Sequence, residues 1–146
     1  MGFFADGTAV AKQGQNYIAM IDGLFNNPSY LAAKKTLDAV AVRQEAIASN
    51  IANLETPGYK RVDLSPTFRS ELDRAVASGD SKQIDSLKPS LAVDTNAVSS
   101  SQDGNTVSLE NEMMQLNQNS MAHTLETQMV SSMLMRLKMA ITGKSS

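Results

Sequence analysis

From residue 28 to residue 55 the chain sets a core-facing position every three or four residues without a break. Tyr30, Ala33, Leu37, Val40, Gln44, Ile47, Ile51 and Leu54 keep that register, with Gln44 its one polar member. Alternating threes and fours mark one seam of a helix that packs against another helix. A helix over 28–55 would be about 42 Å long. Asn27-Pro28 suits its start, because Asn accepts from free backbone N–H groups and Pro lacks the one that would be unpaired at the first position. Pro57 ends it by disfavouring helical geometry at Thr56. Pro57-Gly58 then fits the centre of a type II turn, where Gly supplies the positive φ.

A second stripe occupies the C-terminal third. Leu109, Met113, Leu116, Ser120, His123, Thr127, Val130, Leu134, Leu137 and Ile141 recur at the same spacing, apolar at both ends and polar in the middle. Met121, Leu125 and Met129 lie beside it. Ser108 is placed to cap this helix, Glu110 and Glu112 fall in its first turn, and Gly143 stops it. Its length would be about 50 Å. Between Met113 and Met135 its one formal charge is Glu126. A helix with one face in water normally carries Lys and Glu there. Uncharged polar groups and methionines all round point to a helix surrounded by other protein, so self-association is expected.

Between the stripes the signal weakens. Ser65-Pro66 opens a short helix through Phe68, Leu72 and Val76 that stops at Gly79. From Asp80 to Asn105 the residues are polar and predict a loop or a segment ordered by its neighbours, with "SLAVDT" as a short extended piece. Residues 1–27 form a glycine-containing leader with one amphipathic turn around Tyr17, Ile18, Ile21, Leu24 and Phe25. The expected organisation is therefore a leader (1–27), a long helix (28–56), a turn and variable middle (57–105) and a second long helix (106–146). The fold class is all-α: the two long helices form one antiparallel coiled-coil hairpin, and the middle adds a short helix and an extended, partly irregular segment.

Composition narrows the function. Aromatics are 5% of the 146 residues, there is no Trp, and Phe68 is the last aromatic, so the second half packs with aliphatic residues and Met. So thin a core favours an elongated protein completed by its partners. The net charge of −2 and the lack of a Lys/Arg cluster argue against nucleic acid. Without cysteine there is no disulfide or thiolate chemistry. The N-terminus lacks the basic start and apolar run of a secretory signal, and no stretch approaches the ~20 apolar residues of a membrane span. Work outside the cytoplasm would need export without a cleaved leader.

Candidate chemistry is sparse. His123, the one histidine, has Ser120 and Glu126 three residues to either side, yet that spacing supplies neither oxyanion donors nor a pocket. A metal site would need further His or Cys ligands. No glycine-rich run leads to Lys-Ser/Thr at a helix start. No enzyme, cofactor or small-molecule substrate is indicated.

The stretch "ASNIANLETPGYKR" resembles the N-terminal signature of bacterial flagellar axial proteins, in which S-N-I-A-N is followed by two variable residues and T-P-G-Y-K. Ser49, Asn50, Ile51, Ala52, Asn53, Thr56, Pro57, Gly58, Tyr59 and Lys60 match it. "DGNTVSLENEMMQL", with Asp103, Gly104, Asn105, Thr106 and Val107, is similar to the segment opening the C-terminal helix of the proximal rod proteins of the basal body. Those proteins often have Asp where Ser108 stands, and either residue caps a helix. Residues 1–27 have no counterpart in that pattern.

The resemblance implies a structural subunit of the proximal rod, exported through the flagellum's own type III apparatus and assembled in the periplasm. Its partners would be other copies of itself, other rod proteins and ring or junction proteins at the rod base. It further implies that Asn50 and Asn53 cap or cross-link backbone near the turn. Within the subunit, Leu37, Val40, Ile47, Ile51 and Leu54 are expected to face Leu109, Leu116, Val130, Leu134 and Leu137. Met113, Met114, Met121, Met129, Met133 and Met135 are expected to meet neighbouring subunits. Three alternatives stay open: a sister rod protein, a soluble coiled-coil adaptor or export chaperone, and an amphipathic protein of the membrane surface.

Overall fold

A computed structural model of the chain describes residues 15, 23, 26–99 and 102–142. The expected amphipathic turn around Tyr17 to Phe25, and Gly143, lie outside the described residues. Helix α1 (Pro28–Ala52) starts as its sequence dictates: Asn27 Oδ1 accepts from Ser29 N–H at 2.8 Å and Pro28 occupies the first turn. It ends at Asn53, and the chain reverses at Thr56 to Tyr59. Tyr59 N–H donates to the Thr56 carbonyl at 3.2 Å, and Gly58 takes φ +71°, as a type II turn requires.

Strand β1 (Val62–Leu64) follows, then α2 (Pro66–Ser78), α3 (Ser81–Ser86), β2 (Leu91–Val93) and α4 (Leu109–Thr142). The strands pair antiparallel, with Asp63 opposite Ala92. The hydrophobic core lies between α1 and the middle segment: Leu31 and Ala39 pack with Phe68, Leu72, Ala75 and Ile84, flanked by Leu64 and Leu87. In α2 the buried stripe is Phe68, Leu72 and Ala75, while Val76 is 40% exposed. Position 75 follows 68 by seven residues and shares its face, whereas 76 is rotated some 100° from 75. Asp80 caps α3 by accepting from Lys82 and Gln83 N–H, which sets Ile84 fully inside. One isoleucine and one leucine are too few to create a periodicity, so this helix is hidden within a polar stretch of sequence.

Helices α1 and α4 are about 38 and 51 Å long for their 25 and 34 residues. They run antiparallel: Asn50 meets Glu112, Arg43 meets Gln115, and Asn119 meets Val40 and Gln44. Their packing inverts the usual arrangement. The buried residues of α4 are Glu112 and Asn119, both polar. No helix among the described residues is long and apolar enough to cross a membrane.

Candidate functional site: a polar junction at the closed end of the hairpin

Just past the end of α1, three carbonyls of the turning chain converge on Asn105. Its Nδ2 lies 2.9, 3.0 and 2.9 Å from the carbonyl oxygens of Asn53, Leu54 and Thr56. Its Oδ1 accepts from Val107 N–H at 2.8 Å. The two signature segments are therefore bound to each other, although about fifty residues separate them in the chain. Gly58 N–H donates to the Asp103 carbonyl, Thr106 N–H to the Tyr59 carbonyl, and Lys60 Nζ to the Gly104 carbonyl. Gly104, at φ +79°, brings its backbone against Gly58, where an added Cβ would stand 4.0 Å from the Gly58 Cα.

Asn50, fully buried, works on the other side of the turn. Its amide donates to the Val62 carbonyl at 2.8 Å and accepts from Val62 N–H at 3.0 Å. It thereby satisfies the edge of β1 that faces away from β2. Asn53 Nδ2 donates to the Ser49 carbonyl, Thr56 Oγ1 to Asn53 Oδ1, and the Ser49 and Tyr59 hydroxyls lie 3.0 Å apart. Ile51 is half-buried; Ala52 and Pro57 are exposed.

Beneath the turn, Arg61 is buried among three carboxylates. Its guanidinium donates to Glu112 at 2.7 Å, to Asp94 at 2.7 Å and to Asp63 at 2.9 Å. Asp63 also receives a forked contact from Arg43, whose Nη2 reaches Gln115. Glu112, fully buried, accepts from Asn50 through its second oxygen at 3.2 Å. Burial opposes the charge on Arg61, but Glu112 and Asp63 outweigh it and raise its pKa. Burial likewise works against ionised Asp63, yet Arg43, the Leu64 N–H and Arg61 hold its pKa below the usual carboxylate range. Among the described residues no buried side-chain polar atom lacks a partner. The cluster ties together the four chain segments that meet here: α1, β1, the residue after β2, and α4.

The residues expected at the seam and at neighbouring subunits are distributed as follows. Val40 and Ile47 are buried, while Leu37, Ile51, Leu54, Leu116, Val130 and Leu137 are half-buried. Leu109 and Leu134 are 51% and 39% exposed. Met113, Met114, Met121, Met129 and Met135 are 46 to 72% exposed, and Met133 is half-buried near Tyr30. In the first half of α4 the face turned to α1 is set by Glu112, Gln115 and Asn119, one position from the apolar stripe. Apolar periodicity cannot find such a face. The signal for Glu112 was its place within the second signature segment; Arg61 adjoins the first. Arg43, Asp63 and Asp94 carried none.

Residues 31–60, which include most of α1 and the turn, match the family model described as "Flagella basal body rod protein". The flagellar basal body rod protein FlgB of Borrelia hermsii is 34% identical over 113 residues, covering 65% of this chain and 82% of the relative. The FlgB protein of Salmonella typhimurium is 31% identical over 126 residues, covering 75% and 90%. That of Borreliella burgdorferi is 41% identical over 54 residues, 37% and 38% of the two chains. The first two relatives align over most of their own length, and the chain belongs with them to the FlgB family of flagellar basal body rod proteins, which are structural components and not enzymes.

Proposed function

We propose that this chain is a subunit of the proximal rod that self-assembles, with other rod proteins, into a helical tube transmitting torque. Export through the flagellar type III apparatus and contact with ring or junction proteins at the rod base belong to the same reading. The observation that carries it is the surface of α4. Met113, Met114, Met121, Leu125, Met129 and Met135 are 46 to 72% exposed on a stretch of helix whose one formal charge is Glu126. Fully burying one such side chain is worth about 1.5–3 kcal/mol, so covering the exposed half of each contributes about 1 kcal/mol. Head-to-tail contacts through such a face need not close on themselves, which is the requirement for a helical tube.

The test is Met121→Gln with Leu125→Gln and Met129→Gln in the full chain, supplied to a strain lacking the gene. Unchanged helix content in the purified protein together with lost swimming is expected. Swimming at the normal rate would show that this face meets nothing in the rod.

A further inference from the structure

Helices α2 and α4 both flank the middle of α1 and leave a groove of about 390 Å³ between them. Ala39 and Val40 of α1, with Phe68 and Leu72 of α2, form its apolar floor. Four charged groups line it: Arg43 from α1, Arg69 and Asp73 from α2, and Glu126 from α4. Arg43 is already held by Asp63 and Gln115. Arg69, Asp73 and Glu126 make no ion pair among the described residues, so two carboxylates stand against one free cation. Glu126 is half-buried, and it is the one formal charge between Met113 and Met135. A carboxylate so placed is stabilised by a cation brought to it.

The distal end of α4 has the opposite character. From Thr127 to Thr142 its charges are Arg136 and Lys138, with no acid. Both are exposed, and neither makes an ion pair among the described residues. Met135, Lys138 and Met139 recur at i, i+3 and i+4, the spacing at which a helix offers anchors to a groove. Met135 and Met139 are 58% and 37% exposed, on the side turned away from half-buried Met133 and Leu137.

We propose that the groove receives this end of α4 from a second copy of the chain, with Met135 and Met139 on the apolar floor and Lys138 between Asp73 and Glu126. The contact rests on the rod reading and deepens it, by naming the surface on which two of the α4 methionines sit. Donor and acceptor are different patches of one molecule, so each copy can give its own end while receiving another's.

Glu126 and Lys138 stand about 18 Å apart on one helix and cannot pair within a chain. An exchange of their charges therefore reports contact between copies. In the full chain, supplied to a strain lacking the gene, Glu126→Lys and Lys138→Glu should each lower swimming about tenfold, because each sets like charges face to face. Combined in one chain, they should recover at least about threefold over either alone, which a folding defect would not do. A double variant no better than the single ones, or single variants that swim normally, would overturn the contact. Failure of the methionine variant above with normal swimming of both charge variants would refute the contact and leave the rod reading standing. Cross-linking gives an independent reading, since the chain has no cysteine of its own. Glu126→Cys with Lys138→Cys is produced beside the unaltered chain, so that rods assemble. A bis-maleimide too short to bridge the two positions within a chain, applied to isolated basal bodies, should join two or more chains. Single chains alone would refute the proposal.

Discussion

Asn105 offers the sharpest test of the junction, because one substitution removes the amide and another keeps its shape, which separates hydrogen bonding from packing. Its amide nitrogen faces three carbonyl oxygens at 2.9–3.0 Å, and its oxygen faces the Val107 N–H. Those partners fix which way the amide points. With two N–H hydrogens and one acceptor in use, and about 1 kcal/mol net for each bond, Asn105→Ala should cost about 3 kcal/mol. A loss of that size lowers the folded population relative to the unfolded one about a hundredfold. Asn105→Asp keeps the shape but turns an oxygen, charged at neutral pH, toward the three carbonyls. It should be less stable than the Ala variant by a further ~1–3 kcal/mol.

The sign of its pH dependence follows from the same geometry. Folding favours the protonated acid at this site, so the introduced carboxyl has a raised pKa in the folded state. The Asp variant should therefore approach the unaltered protein as pH falls toward the ordinary carboxylate value of about 3.9, and fall away from it as pH rises. Urea unfolding followed by circular dichroism, run on the three proteins at equal concentration, measures all of this. An Asp variant as stable as the unaltered protein at pH 7 would mean that Asn105 does not hold the end of α1.

Other consequences can be checked separately. Asp63 has a depressed pKa, so its contribution is present above the ordinary carboxylate range and lost as pH falls through its folded value; Asp63→Asn should flatten the acid limb of the stability profile, and an unchanged limb would contradict the assignment. Arg61→Lys replaces a fork reaching three carboxylates by a single ammonium, and should cost about 2–3 kcal/mol in unfolding experiments despite keeping the charge. Gly58→Val meets no atom within 4 Å of its new Cβ, so its cost is the left-handed backbone, about 1–2 kcal/mol. That variant should block rod assembly more than it lowers expression, and normal motility with it would sink the idea that the turn sets the exit angle.

The long helices are legible in the sequence because their ends carry chemistry that works locally. Asn27 caps the N–H two residues on, Pro28 suits the first turn, and Pro57-Gly58 supplies the dihedral angles of a turn, all of them effects set by neighbours in the sequence. The junction is half legible. Matching signatures draw attention to Asn50 and Asn105, but that one asparagine gathers carbonyls from across the turn depends on a contact spanning about fifty residues. The face of α4 escapes pattern reading for a different reason. Hydrophobic periodicity assumes that the inward side is apolar, and here Glu112 and Asn119 are inward while Met121 is 72% exposed. Ile84 fails on numbers alone: one buried side chain on a six-residue helix has no period.

Polar packing of the long helices has a consequence for copying. A leucine seam tolerates slippage, since moving one helix by a turn, about 5.4 Å, exchanges one apolar contact for another. The pairing of α1 with α4 does not. Asn119 needs the Val40 carbonyl and Gln44, Glu112 needs Asn50 and Arg61, and Gln115 needs Arg43. One turn of slip strands each of them, at about 1–3 kcal/mol for every buried group left alone. In a solitary molecule a slipped helix is a local defect. In the helical tube proposed above, errors of this kind would add up along its length, and the buried amides and carboxylate would act as a gauge that gives each part the same dimensions.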